Sequence, residues 1–156
     1  MSKRRTATIG DVAEIPTRHG LAYAQVSHDL PSYGPLLRVL PGFFERRPAD
    51  LQALADQRAS FVAFFPLKHA VRKGRFEIVA RCRVPEFAQS FPLFRSGFID
   101  PKTGKVKTWW LWDGEKEWPV GSLTKEQHEL PIRAVWNDTL LLERIEQGWT
   151  PEKSDW

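Results

Sequence analysis

Few residues of this chain have the types and spacing that catalysis or metal binding requires. The four histidines are His19, His28, His69 and His128, and no two of them have the close spacing that puts two metal ligands on one face of a helix. A single polar histidine is usually a surface or hydrogen-bonding residue. The sequence therefore predicts no metal site and no cofactor.

The one cysteine is the only candidate thiol nucleophile. Cys82 lies between Arg81 and Arg83, and neighbouring cations can lower the pKa of a thiol. A strand-end cysteine without a catalytic role is the favoured interpretation. Because one cysteine forms neither an intrachain disulfide nor a cysteine zinc cluster, a reducing cytoplasm is the expected compartment.

Two acids could divide general acid and base work. Glu115 and Glu117 lie about one strand spacing apart on one predicted face beside tryptophans, which resembles a sugar-binding groove. A glycosidase needs its two carboxylates on opposite sides of a cleft, and two positions along one strand do not supply that. The sequence thus predicts no enzyme and leaves a carbohydrate-binding module as a lesser alternative.

Residues 91–120 contain four of the seven tryptophans and two turn signals. The first signal is the proline-and-glycine loop at residues 101–104, and the second is Asp113-Gly114, a dipeptide favoured in two-residue type I′ turns. Together they predict a three-stranded antiparallel meander. Its expected strand partners are Ile99 with Val106, Arg95 with Trp110, Leu93 with Trp112, Trp112 with Glu115, Trp110 with Glu117, and Trp109 with Trp118.

Alternation of side chains then divides this meander into two faces. One face is predicted to be core and collects Phe94, Phe98, Trp109, Leu111, Trp118 and Val120. The other is predicted to bind a partner through Arg95, Trp110, Trp112 and Glu117, because tryptophan and arginine are enriched at interface hot spots. The alternative is that a helix covers Trp110 and Trp112.

The length and pattern of the chain predict one domain. Its 156 residues are enough for one sizeable core, and 42% hydrophobic with 27% charged residues is typical of a globular protein. We expect a flexible basic tail at residues 1–8, a globular domain at 9–150 and a flexible tail at 151–156. The expected fold is α+β, a mainly antiparallel sheet or partly open barrel with three to four short helices packed against it.

The last helix has the clearest boundaries. Asn137 is a suitable N-cap, Gly148 is a suitable stop, and Trp136 and Leu141 have the spacing of a hydrophobic staple. A helix is therefore expected over residues 138–147. A shorter helix is expected over residues 123–129, and residues 131–136 are expected to be extended.

Charge gives weak support for a nucleic-acid partner. The net charge is +4, and the basic residues form short clusters with acids interspersed. For nucleic acid to bind, the clusters would have to converge on one face: Lys3, Arg4, Arg5, Arg46, Arg47, Arg72, Lys73 and Arg75. No apolar run is long enough to predict a membrane span or a signal peptide.

The opening hairpin carries a family resemblance. The stretches GDVAEIP at residues 10–16 and GLAYAQV at residues 20–26 resemble the start of the Immunity protein 26 family. That resemblance implies a non-enzymatic cytoplasmic protein that neutralises a cognate bacterial toxin by direct protein-protein contact. The same opening is similar to the first hairpin of small barrel toxins that cleave RNA, so an RNA-binding or RNA-cleaving barrel is the alternative.

Overall fold

A computed structural model describes residues 8–154. The strands are β1 Asp11–Thr17, β2 Gly20–Leu30, β3 Gly34–Val39, β4 Phe61–Phe64, β5 Glu77–Arg81, β6 Phe94–Ser96, β7 Trp109–Trp112 and β8 Glu117–Gly121. The helices are α1 Leu51–Ala55, α2 Leu67–Arg72 and α3 Asp138–Gln147, and three short 3-10 turns lie at Glu86–Ala88, Glu126–Glu129 and Pro151–Lys153. The mainly antiparallel α+β architecture is confirmed, but the strands form two sheets that do not close into a barrel.

The first sheet has the order β4-β3-β2-β1-β5, and all of its strand pairs are antiparallel. One face packs against α2, α3 and the residues around them. Ile15, Val26 and Leu37 of the sheet are fully buried against residues such as Leu67 and Leu141. Because apolar side chains recur at every second position of three neighbouring strands, this face forms the largest core of the described chain.

The opposite face of the first sheet is covered in two places. At one end α1 packs Leu51 and Leu54 against Val12 and Tyr23. At the other end the second sheet packs Phe94 and Trp112 against Leu36 and Phe64. Between the two clusters, the buried polar residues Gln25 and Arg38 lie in one row with Val62 across adjacent strands.

The second sheet has the order β6-β7-β8, and one extended segment joins it to the first. The backbone N–H of Arg95 donates to the Pro131 carbonyl at 2.9 Å, and the N–H of Trp136 donates to the Phe64 carbonyl at 2.9 Å. The extended conformation predicted for residues 131–136 therefore connects β6 to β4. Its role as the bridge between two sheets was not predicted.

The register of the second sheet differs from the predicted one. The pair Ile99 and Val106 is confirmed, but Arg95 lies opposite Leu111 instead of Trp110, a shift of one residue. The turn after Trp112 spans four residues instead of two, since Trp112 pairs with Glu117 and the Asp113 carboxylate accepts hydrogen bonds from the backbone N–H groups of Glu115 and Lys116. A carboxylate that satisfies two turn donors favours the longer loop.

The end of the chain confirms one predicted helix and corrects another. The Asn137 side chain accepts from the N–H of Leu140, and Gly148 ends α3 in the left-handed region at a φ of 65°. The helix predicted over residues 123–129 is only a 3-10 turn at Glu126–Glu129. Pro151, expected to begin a tail, is buried. The residues before 8 and after 154, which include the predicted basic tail, lie outside the described residues.

Candidate functional site

Arg95, predicted to be part of an exposed contact surface, is fully buried. It lies on the same side of the sheet as Trp109, and its guanidinium carbon is 5.0 Å from the centre of that indole. Its Nη2 donates to the Pro151 carbonyl at 2.5 Å, while no acceptor within residues 8–154 bonds its Nε or Nη1. Burial lowers the pKa of Arg95. The one-residue shift in register therefore places Arg95 on the side of Trp109 and Leu111, where contacts with Trp109 and Pro151 bury it.

Trp112 is also buried, which corrects the expectation that it faces a partner. Its indole packs within 5.3 Å of the Phe94 ring and 5.0 Å of the Tyr33 ring. The guanidinium of Arg133 lies 4.2 Å from the centre of the Trp112 ring. A cation therefore lies over an indole at two places of this sheet, Arg95 over Trp109 and Arg133 over Trp112.

The other two predicted contact residues remain accessible. Trp110 is half-buried and lies between Ser96 and Pro119 in its row of the sheet. Glu117 is exposed and forms an ion pair with Arg133, with 2.5 Å between Oε2 and Nη1. Arg133 also donates from Nε to the Tyr33 hydroxyl at 2.8 Å. Its part in joining the sheets could not be read from the sequence, because its partners lie 16 and 100 residues away.

Two residues predicted as core are instead exposed. Phe98 is 92% exposed and Trp118 is 38% exposed, with Ile99 at 46% beside Phe98. Trp118 lies on the edge strand β8, and Phe98 lies two residues beyond Ser96, the last residue of β6, where regular pairing has ended. We call Phe98, Ile99 and Trp118, together with the exposed lysines of the adjoining loop, the hairpin surface; these lysines are Lys102, Lys105 and Lys107.

A cleft of about 390 Å³ lies on the partly covered face of the first sheet. Arg38 and Val62 line its floor, and Arg58, Phe87 and Phe91 line its sides. The guanidinium carbons of Arg38 and Arg58 are 5.6 and 5.2 Å from the centre of the Phe87 ring. Burial lowers the pKa of Arg38, although an arginine remains charged near neutral pH. The cleft thus combines two cations with aromatic side chains.

The residue types considered for catalysis or metal binding do not form a common site within residues 8–154. Cys82 is buried, and burial raises the pKa of its thiol, opposite to the effect considered for its cationic neighbours. Over residues 8–154, no group of three or more His, Cys, Asp or Glu side chains could hold a metal ion. Glu115 and Glu117 are both exposed beside the longer turn.

One arginine in each of two predicted basic clusters pairs with an acid. Arg47 pairs with Glu14 at 2.8 Å, and Arg75 pairs with Asp138 at 2.7 Å. Lys3, Arg4 and Arg5 lie outside the described residues. Paired arginines attract phosphate less strongly than free ones. In the described part of the chain no helix is long and apolar enough to cross a membrane.

No protein-family model, curated protein or solved structure matches this chain. The geometry of its own surfaces therefore carries the functional argument. Two places on it have unusual chemistry for solvent-exposed positions: the hairpin surface and the cleft beside Arg38.

Proposed function

We propose that this protein is a non-enzymatic binding protein of the immunity type, which neutralises a cognate bacterial toxin by direct contact through the hairpin surface. The observation that carries the proposal is the exposure of Phe98, at 92%. A phenylalanine that exposed contributes little to the stability of the monomer. Burial of such a ring against a partner would add favourable hydrophobic free energy.

Further exposed apolar side chains in the same sheet and its loop support the presence of an interface over a single exposed residue without function. Ile99 and Trp118 belong to the same small sheet or its loop and are also exposed. Apolar and aromatic side chains at the centre of a patch with a polar rim are typical of protein interfaces. The three lysines of the adjoining loop are exposed, and their charge favours a partner with an acidic surface.

The edge of the sheet argues against one mode of recognition. β8 is the edge strand, and Pro119 lies within it and lacks a backbone N–H. A partner strand would meet an interrupted ladder there. Recognition through side chains, and not through strand addition, is therefore the proposed mode.

The accessible pair Trp110 and Glu117 extends the proposed interface along β7 and β8. Glu117 is held by Arg133, so its carboxylate has a fixed position in the free protein. A fixed carboxylate loses less conformational entropy on binding than a mobile one. These two residues keep the part in partner binding that the sequence predicted for them.

The test expresses the product of the gene next to this one and measures its affinity for this protein by titration calorimetry. Phe98→Ala should weaken binding about thirtyfold or more, which corresponds to the loss of about 2 kcal/mol typical of a hot-spot residue. Phe43→Ala is the matched control, because Phe43 is 40% exposed but lies outside the second sheet. Equal losses for both variants would contradict the assignment of the hairpin surface.

Growth of a strain that expresses the toxin supplies the second readout. The wild-type protein should restore growth, Phe98→Ala should fail to do so, and Phe43→Ala should act like the wild type. Absence of any binding or protection by the wild-type protein would contradict the immunity role itself. Unfolding curves of the variants check that both are folded, as their exposure predicts.

A further inference from the structure

The cleft beside Arg38 lies where the second face of the first sheet is left uncovered. α1 covers one end of that face and the second sheet covers the other. Arg38 lies between them on β3, opposite Gln25 on β2 and Val62 on β4. A polar gap of this kind in a packed sheet is costly unless its groups find partners.

The buried arginine in this gap has neutral protein partners and donors to spare. Arg38 is 2% exposed. Its Nη1 donates to Gln25 Oε1 at 2.6 Å and to the Ala55 carbonyl at 3.0 Å, and its Nη2 donates to the Gln57 carbonyl at 2.6 Å. A guanidinium has five N–H donors, so two have no bond within residues 8–154.

The positive charge of the cleft is not balanced by a neighbouring carboxylate. Neither Arg38 nor Arg58 forms a salt bridge in the described chain, and Asp56, the acid that acts on Arg38 at longer range, pairs instead with Arg83 at 3.6 Å. No acidic side chain lines the described walls of the cleft. An anion is the missing partner that this arrangement fits.

The remaining walls are mainly apolar, with Ser27, Ser90 and His28 as their polar members. Val62, Phe87 and Phe91 supply aliphatic and aromatic surface, and Phe87 is half-exposed. His28 donates from Nε2 to the Gln89 carbonyl at 2.9 Å, and the edge of its ring meets Phe91 at 5.3 Å. His28 thus positions the segment that carries the aromatic wall.

We propose that this cleft binds a planar aromatic phosphomonoester of the mononucleotide class. A phosphomonoester carries about −1.5 to −2 charges at neutral pH, which matches two guanidiniums better than a single carboxylate does. The volume of about 390 Å³ lies within the usual range of small-molecule sites. The ring of the ligand rests on the apolar wall, and the phosphate takes the unused donors of Arg38 and the charge of Arg58.

The test uses adenosine 5′-monophosphate as the probe, with adenosine and inorganic phosphate as its two halves, by titration calorimetry on the full chain. The nucleotide should bind at least tenfold tighter than either half, since the apolar wall contacts its ring and the two arginines contact its phosphate. Arg58→Gln should weaken binding at least tenfold, and Arg58→Lys should weaken it less, because it keeps the charge. Absence of binding of the nucleotide by the wild type up to about 1 mM would overturn the proposal.

Arg46→Gln is the matched control, because Arg46 is as exposed as Arg58 and does not line the cleft. Equal weakening by Arg46→Gln and Arg58→Gln would show nonspecific attraction and overturn the site. Backbone chemical shifts should move at Phe87 and Phe91, and shifts confined to other residues would also overturn it. Phe87→Ala should weaken the binding of the nucleotide but not the binding of inorganic phosphate.

The ligand could be a free nucleotide or the phosphorylated end of an RNA strand, and binding of short RNAs distinguishes the two. A 5′-phosphorylated trinucleotide that binds tighter than the free nucleotide identifies the end of an RNA strand as the source. Weaker binding of that trinucleotide identifies the free nucleotide. Equal binding of 5′-phosphorylated and 5′-hydroxyl trinucleotides would contradict recognition of the phosphomonoester.

Discussion

The two sheets of this protein differ in how completely their side chains are buried. The first sheet has strands of up to eleven residues, and its neighbours pack on both faces. The strands of the second sheet are three to five residues long, and it leaves Trp118 and nearby Phe98 in solvent. The first sheet therefore has the features of a scaffold, and the second has free apolar surface that a partner can cover.

The difference also concerns arginine. In the first sheet Arg38 lines an open cleft and keeps donors for a ligand. In the second sheet Arg95 lies closed between Trp109 and Pro151. The two buried arginines thus differ in access. Arg38 lies beside a gap between packed elements, whereas Arg95 is enclosed by the residues that pack against it.

The largest expected contrast is between two tryptophans, one from each region. Trp136→Ala should lower the free energy of unfolding by about 3 to 5 kcal/mol, because a large side chain is removed from a packed core. The Trp136 ring packs within 5.4 Å of Phe61 and 5.2 Å of Trp149. Trp118→Ala should cost about 1 kcal/mol or less. Urea unfolding measures both, and similar costs would remove the distinction between scaffold and surface.

A smaller contrast lies within β7. Trp112→Ala should cost about 3 kcal/mol, because its ring packs between the sheets and under Arg133. Trp110→Ala should cost about half as much, since Trp110 is half-buried. Thermal unfolding of the two variants tests whether Trp112 is buried between the sheets. A larger cost for Trp110→Ala than for Trp112→Ala would contradict that burial.

The smallest expected effect is a pH dependence in the first sheet. A hydrogen bond from Arg47 at 2.8 Å lowers the pKa of Glu14, and the Tyr23 hydroxyl also donates to it at 2.7 Å. A folded-state pKa below the ordinary 4.5 stabilises the protein above that pH, and the contribution is lost as pH falls through the folded pKa. Glu14→Gln should therefore cost up to about 1 kcal/mol at neutral pH, because Arg47 is partly exposed.

Unfolding of the wild type and Glu14→Gln in urea, from neutral pH down to about pH 3, checks this dependence. The difference between the two proteins should shrink as the solution becomes more acidic. Arg46→Gln serves as the control, since Arg46 has no ion pair in the described chain. A difference that stays constant with pH would mean that Glu14 contributes through packing and not through its charge.

The sequence by itself determined the features that depend on nearby residues. Asn137 and Gly148 bound α3 as predicted, and the loop at residues 101–104 closes on the pair Ile99 and Val106. The mainly antiparallel α+β class followed from turns and short alternating runs. A cap or a turn is decided within a few residues of chain, so its signal survives in the sequence.

Only the tertiary structure decided which side chains of the second sheet are buried. The turn after Trp112 has four residues, and the Asp113 carboxylate accepts a backbone hydrogen bond within it. The backbone between Ser96 and Ile99 is irregular, so the register at Arg95 differs by one residue from the register at Ile99. Because strand side chains alternate, that single step moved Arg95 from the side of Trp110 and Trp112 to the side of Trp109 and Leu111. Arg95 is buried because Pro151 packs on that side. The burial of Trp112 and the opening of the cleft at Arg38 depend on contacts between elements far apart in the chain, which local pattern does not encode.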